Sequence, residues 1–195
     1  MSIKCLKILI LGSITVGKTS IFIRYFNNAF FQNNLASIGI DVKAKDFSFE
    51  NRKVKVDYID IAGQERYRSI STNYLKGADG VLLVFDLTKR ESFNLIDEWV
   101  KQTEENGKDN IVKILFGNKN DLIDERDISE EEGKQLAKNL GCDYYEGSAK
   151  TGENVNLVMD KIAEITYLIC KDEKKDDSLS LSTEKPKKKN KKGCC

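Results

Sequence analysis

Gly12-Ser13-Ile14-Thr15-Val16-Gly17-Lys18-Thr19 lies directly after Cys5-Leu6-Lys7-Ile8-Leu9-Ile10-Leu11, and the junction of these two stretches decides the fold. The apolar run is short and nearly continuous, the pattern of a strand buried on both faces. The loop after it satisfies G-x-x-x-x-G-K-[ST] and opens a predicted helix. In such an arrangement backbone N–H groups and the positive end of the helix surround phosphate oxygens. Lys18 adds a point charge at the β and γ oxygens, and the Thr19 hydroxyl can ligate Mg²⁺. Ser13, Ile14, Thr15, Val16, Gly17, Lys18, Thr19 and Ser20 are the candidate phosphate-binding residues; the competing account is a chance match.

Working outward, Gly80 to Leu87 and Ile111 to Phe116 repeat the buried-strand pattern, and Asp143 to Glu146 is a shorter strand. Helical periodicity separates them: Phe93, Ile96, Trp99, Val100 and Thr103 recur at three and four residues, as do Val155, Val158, Ile162, Ile165 and Ile169. Ser129 with Glu132 fits a capping box, and Gly141 closes that helix. One pair of segments breaks the alternation. Asp41 to Glu50 and Lys53 to Ile61 have period two around Glu50-Asn51-Arg52-Lys53, which predicts an antiparallel hairpin. The expected fold is α/β: a doubly wound, mostly parallel six-stranded sheet with one antiparallel edge strand and helices on both faces. Ligands of such sheets bind at the carboxyl ends of the strands.

Three further loops narrow the chemistry. Asn118-Lys119-Asn120-Asp121 follows the strand ending at Phe116. The Asp121 carboxylate can accept paired hydrogen bonds from guanine N1 and its exocyclic amine, which adenine cannot donate. Ser148-Ala149-Lys150 follows the short strand, where a backbone N–H can meet guanine O6. Asp60-Ile61-Ala62-Gly63-Gln64-Glu65 ends the hairpin. There Asp60 can hold Mg²⁺ through water, the Gly63 N–H can approach a γ-phosphate, and Gln64 can orient a water for in-line attack. Lys18 and Gln64 are the candidate catalytic residues. Taken alone, the Asn118 and Ser148 loops could be ordinary loop sequence; the bland account of the Asp60 loop is a polar turn ending a strand, and a nucleoside kinase leaves the Asp60 and Asn118 loops without a role.

In this order and spacing the motifs resemble those of Ras-superfamily small GTPases, most nearly the Rab family, over residues 5–170 and the terminal Gly193-Cys194-Cys195. The resemblance implies GTP and GDP binding with Mg²⁺, slow hydrolysis and two switch segments. Switch one would centre on Ala36 to Asp41 and contain the metal ligand Ser37; switch two would run from Ala62 to about Lys76. Phe30 would pack against the guanine. The partners implied are a Rab escort protein, a geranylgeranyl transferase, a GDP dissociation inhibitor, an exchange factor, an activating protein and effectors, acting on a monomer.

Three departures accompany the resemblance. Ser37 stands in place of a threonine, keeping the hydroxyl. Ile14 and Thr15 occupy loop positions that are small in most relatives. Ile14 would then project toward the meeting place of Gln64 and a partner's arginine finger, slowing hydrolysis, unless the loop points it away. At the positions of the aromatic surface that Rab effectors read stand Val42, Ile59 and Tyr74, two of them aliphatic, although core packing would equally explain Val42 and Ile59.

Composition sets bounds on all of this. The chain of 195 residues contains no histidine, which excludes Ser-His-Asp hydrolysis, Cys-His proteolysis and His-ligated zinc or haem chemistry. Its 32 basic and 31 acidic side chains nearly cancel, but Lys185, Lys187, Lys188, Lys189, Lys191 and Lys192 gather at the end with no acid among them. An acidic body with a basic tail is expected, with residues 1–170 as the GTP-binding domain and 171–195 disordered. Such a body suggests no nucleic-acid partner. Cys5, Cys142 and Cys170 read as buried free thiols. Cys194 and Cys195 read as prenylation sites that, with the lysines, anchor the chain to the cytoplasmic face of an intracellular membrane, alongside a cytosolic pool. A nuclear-localisation signal is the other reading of the lysine run. No secretory signal and no membrane span are evident.

Overall fold

The computed structural model describes residues 5–31, 39–61 and 68–180, with the backbone alone for 68–71 and 172–180. The chain runs through β1 (Leu6–Leu11), α1 (Lys18–Asn27), β2 (Ile40–Phe49), β3 (Arg52–Ile61), α2 (Arg68–Leu75), β4 (Gly80–Asp86), α3 (Arg90–Asn94) and α4 (Ile96–Asn106). It continues through β5 (Val112–Asn118), a 3-10 turn (Ile123–Glu125), α5 (Glu130–Leu140), β6 (Asp143–Gly147) and α6 (Val155–Ser180). One six-stranded sheet in the order β2-β3-β1-β4-β5-β6 carries the fold. Every pairing is parallel except β2 with β3, so β2 is the antiparallel edge strand.

Alternation along the strands divides the interior into two layers. Leu6, Ile8 and Ile10 of β1 join Val54, Val56, Tyr58, Leu82, Val84, Ile114 and Phe116 beneath α1 and α6. Leu9 and Leu11 face the other way with Ile59, Ile61, Val81, Leu83, Phe85 and Leu115, covered by Leu75 of α2, Ile96 and Val100 of α4, and Ala137 of α5. Burial on both faces is why these strands read as continuous apolar runs.

The hairpin is tighter than its sequence suggests. Phe49 pairs with Arg52, so Glu50 and Asn51 alone make the turn, both at positive φ (48° and 64°), as a type I′ turn requires. Its tip is docked on α6: Phe49 stacks on Tyr167 at 4.8 Å between centroids, and Lys171 pairs with Glu50.

Three differences from the sequence reading have physical causes. The periodic stretch from Phe93 to Thr103 is two helices, α3 and α4, separated at Leu95; a hydrophobic stripe cannot register a one-residue break that leaves the spacing intact. The helix α6 continues ten residues past 170, through Ser180. From Lys171 to Ser180 there is no Gly, Pro or β-branched residue, and extending a helix that is already packed needs no new nucleation. Cys5, Cys142 and Cys170 form no disulfide among the described residues and are half-buried, not buried. The capping box at Ser129 and Glu132 and the left-handed Gly141 at the end of α5 are both present. Among the described residues no helix is long and apolar enough to cross a membrane.

Candidate functional site

Parallel pairing points β1, β3, β4, β5 and β6 the same way, so the segments that leave their carboxyl ends converge. β1 is the strand on whose two sides the chain order diverges, the topological switch point of the sheet. Residues 12–19 follow it. Lys18 is buried, with Nζ 2.7 Å from both Gly12 O and Ser13 O, so its ammonium lies inside the loop. Gly17 caps α1 with φ 98° and, as a glycine, brings no side chain of its own to cap it. The first turn of α1 contains no acid, whereas α4 and α5 begin with Asp97 and Glu98 and with Glu130, Glu131 and Glu132. An amino end with no acidic side chain in its first turn suits an external anion. Val16 is core, Ser20 is half-buried, and Ile14 projects outward with 48% of its surface exposed. Thr15 has φ 63°, a strained conformation for a β-branched side chain.

Asp60, near the end of β3, is 2% exposed, and its Oδ2 accepts the Thr19 hydroxyl at 2.6 Å. The other oxygen, Oδ1, is buried with no hydrogen-bond partner among the described residues. Burial pushes this carboxyl above its usual range, against the Thr19 hydrogen bond and the Lys18 charge, and Asp41 raises it further. Asp41 is its cross-strand partner. Two acids, one with an orphaned oxygen, beside a threonine hydroxyl fit a divalent cation whose remaining ligands are phosphate oxygens and water. Among the described residues no group of three or more His, Cys, Asp or Glu side chains that could hold a metal ion occurs.

Asn118 closes the site from the other side. Its Nδ2 donates to Val16 O at 2.7 Å, and its Oδ1 accepts the Ala149 N–H at 3.0 Å, so one buried amide joins all three loops. Gly17 makes that possible, since a Cβ there would sit 2.3 Å from Asn118 Nδ2. Asp121 accepts the Ser148 hydroxyl at 2.5 Å and lies 3.5 Å from Lys150 Nζ. Ser148 Oγ in turn accepts the N–H groups of Lys150 and Thr151. Phe30, expected beside a base, packs partly against the core layer that contains Ala149. Ser37, Gly63, Gln64, Cys194 and Cys195 lie outside the described residues.

The structure also supplies residues that motif reading passed over. Arg24 of α1 donates from Nε to Ala149 O at 2.9 Å and from Nη2 to Lys150 O at 2.6 Å, clamping the third loop. Asp86 at the end of β4 pairs with Lys119 at 2.5 Å, and Lys89 Nζ lies 3.4 Å from Thr15 Oγ1. Only the buried acid ending an apolar strand could have flagged the second of these; a helical arginine and a loop lysine have no signature. Of the three surface positions, Ile59 belongs to the second core layer while its cross-strand neighbour Val42 is half-exposed beside Ile40. Core packing thus accounts for Ile59 and not for Val42.

Comparison with known proteins agrees with this geometry. The family model described as Ras family matches residues 7–167. Ras-related protein Rab-3A of Homo sapiens is 42% identical over 176 residues, covering 90% of this chain and 78% of that protein. GTP-binding protein Rab-3D of Rattus norvegicus is 41% identical over 177 residues, 91% and 78% of the two chains. Ras-related protein Rab-3 of Caenorhabditis elegans is 42% identical over 159 residues, 82% and 73%. Loops that gather at the carboxyl ends of the parallel strands, a family model that covers all but the first residue of the sheet and relatives of this similarity together place the chain in the Ras family of small GTPases, among its Rab proteins.

Proposed function

We propose that the chain is a GTP/GDP switch of intracellular vesicle traffic that hydrolyses GTP slowly, with residues 12–20 holding the phosphates and Asp121 reading guanine. The observation that carries this reading is the buried Asn118 amide, which fixes the phosphate loop, the Asp121 loop and the Ser148 loop as one unit. Lys18 and the amino end of α1 supply positive charge where the β and γ oxygens would lie. Thr19, Asp60 and Ser37 are the residues that would hold Mg²⁺. When bound, the metal would neutralise negative charge on the phosphates. Gln64 orients the attacking water, and the Gly63 N–H follows the γ-phosphate. Lys119, Ala149 and Lys150 complete the base side with Ser148, and Phe30 borders it.

Purified full-length protein, denatured and its released nucleotide chromatographed, should yield GDP or GTP near one equivalent and no adenine nucleotide. Release of phosphate in a single turnover should follow. Adenine nucleotide, or none at all, would overturn the reading. A second reading is favoured by the exposed Ile14: a GTP-loaded scaffold with poor hydrolysis that recruits effectors to a membrane.

The tail completes the proposal. Two prenyl chains on Cys194 and Cys195 would anchor firmly, at about 0.8 kcal/mol per buried CH₂, where one alone is marginal. The six lysines near the end add attraction to an anionic leaflet. The escort protein, transferase, dissociation inhibitor, exchange factor, activating protein and effectors named above are the partners this implies. Replacing both cysteines by Ser should move the tagged protein from membranes to the cytosol, read by fractionation; unchanged membrane attachment would count against the anchor.

A further inference from the structure

β4 ends in a carboxylate for which neither the phosphate motif nor the base motif has a use. Asp86 is fully buried and stands opposite Asn118 in the β4–β5 register, beside the start of the base-side loop. Its Oδ1 accepts the N–H and the hydroxyl of Thr88 at 2.9 and 2.7 Å. Its own N–H donates to Ser92 Oγ at 3.0 Å, which fixes the strand end against α3. The remaining oxygen, Oδ2, lies 2.5 Å from Lys119 Nζ. Lys119 has φ 71°, a backbone that surrounding structure must hold in place for a lysine.

Burying an ionised carboxylate is costly unless it is paired, and replacing such a pair with apolar side chains is often neutral or stabilising. Stability alone therefore does not explain the pair; its effect on Lys119 does. That side chain lies between Asn118, which joins the loops, and Asp121, which reads the base. With the ammonium committed to Asp86, and the side chain 28% exposed, the four-carbon stem of Lys119 is the part left to meet a ligand. Without Asp86, the nearest acid of the same loop for that ammonium is Asp121, the group that must stay available for guanine.

We infer that Asp86 is a positioning residue for the guanine base: it holds the Lys119 ammonium away from Asp121, so that the lysine stem lines the base site and the Asp121 carboxylate is left to the ligand. This rests on the guanine-nucleotide reading above and names the residue that keeps its base side in order. Because Asp86 acts on the base and not on the phosphates, its removal weakens GDP and GTP by the same factor.

The test measures dissociation of fluorescent GDP and GTP from full-length wild type, Asp86→Asn, Lys119→Met and the double variant. Losing a partner that orients a ligand-binding side chain typically costs about 10- to 100-fold, so Asp86→Asn should release both nucleotides on the order of 10 to 100 times faster. The double variant should be no more than about threefold faster than Lys119→Met, since both changes break one interaction. Thr88→Val, which keeps the ion pair and removes one hydrogen bond to Asp86, should give a few-fold increase and serves if Asp86→Asn does not fold. Off-rates within twofold of wild type in the folded variants, effects that multiply in the double variant, or a loss confined to GTP would overturn the inference. A wild type that retains no guanine nucleotide would overturn both this inference and the function it rests on.

Discussion

Asp121→Asn should cost about a thousandfold in GDP affinity and at the same time raise affinity for xanthosine diphosphate. Guanine presents two donors on one edge, N1–H and the exocyclic amine, and a carboxylate meets both with acceptors only. Each hydrogen bond to a charged group contributes about 1.5–3 kcal/mol, and about 4 kcal/mol is a thousandfold in binding. The amide introduced by Asp121→Asn sets a donor against a donor, which is worse than a simple deletion. Xanthine carries a carbonyl at the position of the amine and can accept from that amide. Asp121 is 12% exposed and is held by Ser148 at 2.5 Å and Lys150 at 3.5 Å, so it cannot turn away to relieve the mismatch. Because an amide oxygen still accepts from Ser148, the loop should stay folded, and the swap in preference, not a general loss, is the expected signature. Displacement of fluorescent GDP by GDP and by xanthosine diphosphate measures both halves. Unchanged GDP affinity would remove Asp121 from the base site.

How much of this was legible beforehand depended on whether a residue's role was local. The strand order, the antiparallel edge and the two-sided burial follow from short apolar runs alternating with helical stripes, because parallel strands need crossovers and crossovers need helices. Lys18, Thr19, Asp60, Asn118, Asp121 and Ser148 could be named because their spacing is fixed by strand–loop–helix junctions. Arg24 and Lys89 could not, since their partners lie 125 and 74 residues away and nothing nearby in sequence marks the contact, and Asp86, 33 residues from its partner, is marked only as an acid ending an apolar strand. Asn118 was legible as a site residue but not in its role. Both ends of its amide bond to protein, so what it does in the described structure is hold three loops in register. The length of α6 was missed for a different reason: composition measures how little a segment can bury, while a helix already docked through Val158, Ile162 and Tyr167 extends on propensity alone.

Replacing Ile14 by Ser should raise partner-stimulated GTP hydrolysis by as much as 10³- to 10⁵-fold, the contribution of an arginine finger to this chemistry, and leave GDP affinity within a few-fold. The asymmetry follows from where Ile14 sits. Its neighbours Ser13 and Val16 are buried in the loop and its own side chain faces outward, 48% exposed. In the proposed arrangement nucleotide binding depends on the loop backbone, Lys18 and Thr19, and the substitution changes neither side chain. A finger and the water held by Gln64 must instead approach the γ-phosphate from outside, and in the proposed arrangement a branched four-carbon side chain occupies that approach. The adjoining Thr15, at φ 63° and 3.4 Å from Lys89 Nζ, restricts the loop from shifting to make room. Single-turnover hydrolysis of wild type and Ile14→Ser, alone and with the catalytic domain of a Rab-activating protein, separates the switch from the scaffold. A slow wild type and a fast variant would mean that Ile14 keeps this chain loaded with GTP until it is extracted from the membrane. A wild type that already responds as fast as the variant would show that the loop leaves the γ-phosphate accessible, and the chain would then act as an ordinary timed switch.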